Sequence, residues 1–317
     1  TEMLYYCAPL EGLTGRQFRK IHARHFPGTD RYFMPFLSPA QGHAFSRREL
    51  RELDPNYAPE VPAIPQLLTR RAEDFLWAAG ELADMGYPEV NLNLGCPSGT
   101  VTAKGKGAGF LGRLEELEAF LDEIFSRCPI PISIKTRLGV SQPEEFTQIL
   151  QLYRRYPLRE LILHPRVQKD MYRLPVRNAW YAPALEDSKY PVCANGDLNT
   201  LRDISALLAQ YPGLDRIMLG RGLMADPALI VRQRGGSPAS REVLQRFHDE
   251  LYASYTQDFG SPHSAMMRMK EHWFYLIQRF QDHATHAKHI KKARTPQDFQ
   301  RWVQAVFQEL ELAAPED

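Results

Sequence analysis

Cys96 is the residue of this chain best placed to do chemistry. It lies in Asn91-Leu-Asn-Leu-Gly-Cys-Pro-Ser98, after an alternating run from Glu89 to Leu94, and is bracketed by Gly95 and Pro97. A strand that ends in a glycine-bracketed thiol suggests chemistry, and the plainer reading is a small hydrophobe packed in a turn. Cys7, Cys128 and Cys193 are far from it and from one another, and no Cys-x-x-Cys pair points to zinc or an iron–sulfur cluster. All four are read as thiols.

Polar residues recur after the other apolar runs. Pro9 follows the first, Gln66 closes another, and Asn93 precedes the thiol. Lys135 and Arg137, His164 and Arg166, Asn195-Gly-Asp197 and Gly220-Arg-Gly222 end the later ones. Singly, each has an ordinary explanation as a solvated strand end, a satisfied core histidine or a turn. Their repetition at successive strand ends is what singles them out, because a barrel of parallel strands builds its site at those ends. Gly196, Gly220 and Gly222 admit close backbone approach and Arg221 adds a fork of donors, so a phosphorylated ligand is expected there.

The elements that must position these groups are short apolar runs alternating with helical patterns. Eight strands are expected: Leu4 to Ala8, Tyr32 to Phe36, Ala63 to Leu67, Glu89 to Leu94, Ile132 to Thr136, Glu160 to Leu163, Val192 to Ala194 and Arg216 to Leu219. Helices are expected at Gly15 to His25, Arg70 to Met85, Leu114 to Arg127, Glu144 to Tyr156 and Leu201 to Gln210. In the third of these, Leu117, Phe120, Leu121, Ile124 and Phe125 share one face. The pattern indicates an α/β chain, a (β/α)8 TIM barrel over 1–236, with a doubly wound sheet as the other possibility. Leu37 to Pro62, without a clear period, reads as an elaborated loop with some helix.

At Arg234-Gly-Gly-Ser-Pro-Ala-Ser240 the alternation stops. Helical patterns at Arg241 to Phe259, Ser264 to Phe280 and Gln297 to Leu312 indicate a small C-terminal helical bundle over 237–317, the last helix opened by Thr295-Pro296. Lys288, Lys291, Lys292 and Arg294 lie in a basic stretch there, which suits an RNA backbone or a solvated helix face.

A chain of 317 residues with 44% hydrophobic content has ample material for a core, and its net charge of +1 gives no global field, so a nucleic-acid partner needs a local basic patch. No apolar run approaches the roughly 20 residues of a membrane span, and the N-terminus lacks a signal pattern, so a cytoplasmic monomer is expected.

The ordered set Ala8-Pro-Leu-Glu-Gly12, Pro65-Gln-Leu67, Asn93-Leu-Gly-Cys-Pro-Ser98, Lys104-Gly-Lys-Gly-Ala-Gly109, Lys135-Thr-Arg-Leu-Gly139, His164-Pro-Arg166, Asn195-Gly-Asp197 and Gly220-Arg-Gly222 resembles the flavin-dependent tRNA-dihydrouridine synthases over almost the whole chain. The Asn-x-Gly-Cys-Pro-Ser element is the most specific part; the others recur in FMN barrels generally. Pro165 departs from the glycine usual in that family, and Leu10 stands where methionine is common.

The resemblance implies an oxidoreductase that binds FMN and consumes NADPH to reduce the C5=C6 bond of specific uridines in tRNA. Hydride passes from flavin N5 to C6 and a proton from Cys96 to C5. It implies cofactor contacts from Pro9, Leu10, Gln66, Lys135 and His164, with the phosphate on Asn195, Gly196, Asp197, Gly220 and Arg221. Asn93, Arg137, Arg166 and Tyr172 are expected against the substrate RNA, together with the tail cations. The glycine content of Gly99 to Gly112 reads as a mobile lid that carries Cys96 into place over an extruded base, with Lys104 and Lys106 near the RNA phosphates, or as an ordinary surface loop with solvated lysines. The alternatives are an FMN barrel acting on a small molecule, as dihydroorotate dehydrogenases do, and a non-catalytic RNA-binding barrel. The tail and the Cys-Pro-Ser motif argue against the first, and the intact strand-end set against the second.

Overall fold

Alternate residues of a strand face opposite ways, and here the two faces bury different things. In the computed structural model, which describes residues 2–315, Tyr5 and Cys7 join the layer between sheet and helices, while Tyr6 and Ala8 face inward with Phe33, Ile64, Ile162, Cys193 and Met218. Val90, Leu92 and Leu94 likewise pack outward, which turns Asn91 and Asn93 into the interior.

The strands are β1 (Leu4–Cys7), β2 (Arg31–Phe33), β3 (Ala63–Ile64), β4 (Gln66–Leu67), β5 (Val90–Leu94), β6 (Ile132–Thr136), β7 (Leu161–Leu163), β8 (Val192–Asn195) and β9 (Arg216–Leu219). All pair in parallel, in the order β3-β2-β1-β9-β8-β7-β6-β5-β4. The two ends of that order are halves of one strand interrupted at Pro65, which has no N–H to give the ladder. Its carbonyl still accepts from the Asn91 N–H at 2.9 Å, and the Ile64 carbonyl from Met34 at 2.8 Å, so the sheet closes on itself. The eight-stranded barrel expected from the strand–helix alternation is therefore the fold.

The outer helices follow their apolar stripes. Leu114–Arg127 buries Leu117, Phe120, Leu121 and Ile124, with Glu115 and Glu116 in its first turn and Arg127 in its last, which suits the helix dipole. Each such buried side chain contributes roughly 1.5–3 kcal/mol. Leu201–Gln210 begins at a capping box between Thr200 and Asp203. The segment expected to be loop with some helix contains the helix Arg47–Leu53, started by a Ser46–Glu49 capping box.

After Gln233 the chain leaves the barrel and forms Arg241–Phe259, Pro262–Leu276, Ala284–Lys292 and Pro296–Glu309. Four helices stand where three are expected. Among the residues of Ala284–Lys292 only Ile290 is fully buried, too few apolar positions for the helix to show as a period in sequence. Polar contacts tie these helices to the barrel: Arg16 and Gln17 reach Asp258 at 3.0 and 2.8 Å, and Arg268 donates to the Gly12 carbonyl. Thr1 and residues 316–317, the outermost positions of the two regions read from sequence, lie outside the described residues. No helix of the described residues is long and apolar enough to cross a membrane.

Candidate active site

At the C-terminal ends of the strands a cavity of about 340 Å³ is lined by Pro9, Leu10, Lys135, His164, Asn195, Gly196, Asp197, Gly220 and Arg221. These are nine of the ten cofactor residues expected from sequence. The tenth, Gln66, is fully buried below the mouth, where its amide donates to Asn91 Oδ1 at 2.8 Å and accepts from Asn93 Nδ2 at 3.0 Å.

The glycines are used for close approach. A Cβ on Gly196, whose φ is +112°, would lie 2.6 Å from His164 Cδ2, and one on Gly222 would lie 2.7 Å from Asn199 Cα. Arg166 Nη1 donates to His164 Nε2 at 2.9 Å, which leaves the ring proton on Nδ1. Burial, with Arg137, Lys135, Arg166 and Arg221 nearby, holds His164 well below the ordinary imidazole range, so it is a neutral donor. Asp197 lines the same wall, but its carboxylate is gripped by Arg166 at 2.7 and 3.1 Å and by Arg221 at 3.0 Å. An acid so placed braces the arginines instead of meeting a phosphate itself.

Lys135 is pushed down to about 8, by burial first and then by Arg137. Its charge is destabilising throughout the neutral range, because the folded protein holds that proton less tightly than the unfolded chain does. The cost is full below pH 8 and fades as pH rises toward the unfolded lysine value of roughly 10.4. In ligand-free protein, Lys135→Met is expected to raise the unfolding free energy by about 2 kcal/mol at pH 7, a gain that disappears near pH 10. Urea unfolding of the two proteins across pH checks this; a variant less stable than the parent at pH 7 overturns it.

Cys96 lies at the rim, half-buried, with its N–H donating to Asn93 Oδ1 at 2.9 Å. Burial pushes the thiol up; the Ser98 backbone, Lys135 and Arg137 pull against that and Glu11 adds to it. The thiol is protonated at neutral pH. Behind it, the run expected to be a mobile lid is folded as Gly99–Thr102 followed by Gly107–Gly112. Ala108 N–H bonds the Cys96 carbonyl at 3.0 Å, and a Cβ on Gly107 would lie 2.8 Å from that oxygen. The glycines let this turn pack directly on the thiol's backbone. Lys104 is exposed and Lys106 half-buried. Arg70 and Arg113, which carry no distinguishing sequence signal, converge on Gly105 and share Glu116 at 4.0 and 3.6 Å.

Two of the residues expected against the RNA are engaged within the protein. Arg166 is buried, and its guanidinium is taken up by His164, Asp197 and, through Nε at 2.8 Å, the Leu174 carbonyl. These bonds also hold the turn that contains Pro165. Arg137 is buried too and donates to the Val167 and Met171 carbonyls at 3.0 and 2.7 Å, with Nη2 unpartnered. Neither can present its charge to a phosphate on the surface. Met171 has φ 52°, a strained position for a side-chain residue, and the turn it makes projects Tyr172 over the mouth. Tyr172 is 50% exposed, with the guanidiniums of Arg137 and Arg221 5.0 and 4.8 Å from its ring.

Asn93 also has less freedom than expected, since its oxygen accepts from both Gly95 and Cys96 N–H groups and its nitrogen already gives one bond to Gln66. One amide hydrogen remains. Tyr275, from the helix Pro262–Leu276, completes the cavity wall, and its neighbour Phe274 is 70% exposed. Nothing in the local sequence marks either, because their importance comes from where the helical region docks.

The (β/α)8 barrel thus gathers this cavity and the Cys96 loop at one end, the C-terminal ends of its strands. A family model described as "Dihydrouridine synthase (Dus)" matches residues 6–311, and the chain belongs to that family. It is 30% identical to the tRNA-dihydrouridine(16) synthase of Pseudomonas putida, across 86% of this chain and 87% of that one. It is also 30% identical to a probable tRNA-dihydrouridine synthase 1 of Synechocystis; that match covers 70% of this chain and spans 62% of the relative's length. Among solved structures, the old yellow enzyme homologue of Zymomonas mobilis aligns with a TM-score of 0.55 at 10% identity, covering 75% of this chain and 90% of that one. Morphinone reductase in complex with tetrahydroNAD gives 0.51 at 12%, covering 75% and 88%. At those identities the likeness concerns the fold.

Proposed function

We propose that this chain reduces the C5=C6 bond of specific uridines in tRNA, with FMN at the barrel mouth and NADPH as electron donor. The observation that carries the reading is the half-buried Cys96 thiol, held by Asn93 at the end of β5 and close enough to Lys135, which lines a glycine-walled, cation-bearing cavity at the same strand ends, to feel its charge. The residues present fit FMN: Gly196 and Gly220 leave the backbone open, Arg221 offers a charge that Asp197 braces, and neutral His164 and half-buried Lys135 offer donors.

FMN held there by these residues would supply hydride for C6 of the uracil. Cys96 supplies the proton at C5, where carbanion character develops because the C5=C6 bond is conjugated with the C4 carbonyl. Lys135 places positive charge beside the developing anion. Arg137 supports this at one remove by holding the turn that carries Tyr172. A uracil must leave the RNA stack to reach the cavity. Lys104, Lys106, Arg70 and Arg113 lie on the Cys96 side to receive its phosphates, and the helical region, 237–317, grips the rest of the RNA through Lys288, Lys291, Lys292 and Arg294. The protein works in the cytoplasm as a monomer.

The test is incubation of FMN-loaded protein with NADPH and tRNA lacking dihydrouridine. Nucleoside mass spectrometry is expected to show uridines that have gained two hydrogens. Consumption of NADPH without that product would sink the proposal.

A further inference from the structure

The barrel interior carries one continuous polar seam that ends on the backbone of Cys96. At the N-terminal end of the barrel the Ser133 hydroxyl donates to Glu89 Oε2 at 2.7 Å. Asn91 Nδ2 donates to Ser133 Oγ at 2.8 Å, Gln66 Nε2 to Asn91 Oδ1 at 2.8 Å, and Asn93 Nδ2 to Gln66 Oε1 at 3.0 Å. Asn93 Oδ1 then accepts from the Gly95 and Cys96 N–H groups at 3.0 and 2.9 Å. Every side chain of the seam is buried.

All these bonds run in one direction, and the reason is at the bottom. An ionised carboxylate only accepts, so Ser133 must spend its single hydrogen on Glu89 and receive from Asn91. That turns the Asn91 oxygen toward Gln66, the Gln66 oxygen toward Asn93, and the Asn93 oxygen toward the two backbone N–H groups. Without the anchor, this direction is held only from the other end, by the two backbone N–H groups. Reversed, Asn93 would aim its NH2 at two N–H donors, and the loop would lose its hold. Burial, and the neighbouring Glu160, push the Glu89 carboxyl above the ordinary carboxylate value; the Ser133 hydroxyl, with Arg31 Nη1 at 3.1 Å and Arg159 Nε at 3.8 Å on the other oxygen, pull against that and favour the ionised form.

We propose that Glu89, at the opposite end of the barrel from the thiol, is a positioning residue: through Ser133, Asn91, Gln66 and Asn93 it fixes the backbone from which Cys96 projects. The consequence for turnover rests on the reading of Cys96 as the proton donor; the consequence for the loop does not.

Ser133→Ala cuts the seam with little change in volume, and Glu89→Gln keeps the shape but can donate as well as accept. In FMN-loaded protein, both are expected to speed amide hydrogen exchange about tenfold in a peptide covering residues 92–98. The kcat on tRNA is expected to fall about tenfold while KM for tRNA stays within twofold. Ser133→Thr, which restores the hydroxyl, is expected to recover both. Tyr6→Phe removes a buried bond to Glu160 outside the seam and is expected to leave exchange at 92–98 as in the parent.

If Glu89→Gln fails to fold, Ser133→Ala decides alone. Exchange at 92–98 unchanged in Ser133→Ala, or raised equally by Tyr6→Phe, overturns the proposal. Faster local exchange with unaltered kcat overturns its catalytic part. Full turnover by Cys96→Ala would remove the acid assignment and leave the exchange result standing.

Discussion

Cys96→Ala is expected to lower kcat on tRNA by a factor of about 10²–10⁴, the range a positioned general acid contributes, while FMN stays bound and NADPH still reduces it. The substitution removes one sulfur at the rim and leaves the Asn93 bonds to the backbone in place. Stopped-flow measurement separates the two half-reactions: flavin reduction should keep its rate and only its reoxidation by RNA should slow. The pH profile supplies a second readout. Because burial raises the thiol, the acid form persists beyond the ordinary thiol value of roughly 8.5, so the alkaline limb of kcat should lie above that value and vanish in the variant. Unchanged reoxidation in Cys96→Ala would show that the proton comes from elsewhere.

The second large effect is expected from replacing Lys288, Lys291, Lys292 and Arg294 together by alanine. All four are exposed, and among the described residues no ion pair or hydrogen bond engages their side chains. Their charges are therefore available to phosphates and contribute little to folding. Removing them is expected to weaken tRNA binding about a hundredfold at physiological salt. The slope of log K against log salt should shrink by about 0.7–0.9 for each phosphate that the variant no longer neutralises. Fluorescence anisotropy over a salt series measures both, and kcat at saturating tRNA should hold. An unchanged slope would mean that this face is merely solvated.

The two predictions draw on different kinds of information. Cys96 was legible because its neighbours, Asn93, Gly95, Pro97 and Ser98, are contiguous in the chain, and the strand-end residues because a parallel barrel gathers strand ends at one rim whatever its details. Alternation and helical period also carried the strands, most helices and the buried face of Leu114–Arg127.

Other placements follow only from contacts between distant segments. A guanidinium in sequence looks the same whether it meets RNA or a carbonyl, and it is the turn at Met171 and the carboxylate of Asp197 that enclose Arg137 and Arg166. The glycines from Gly99 to Gly112 read as mobility until the close approach of Gly107 to the Cys96 carbonyl is seen. Tyr275 enters the cavity because the helical region docks on the first strand's loop, and the polar seam exists because strand register sets Gln66, Asn91 and Ser133 side by side. Sequence by itself determined the residue types, their order and the barrel that collects them. Tertiary packing decided which charges remain free, since burial and hydrogen bonding are properties of neighbours that only the closed barrel brings together.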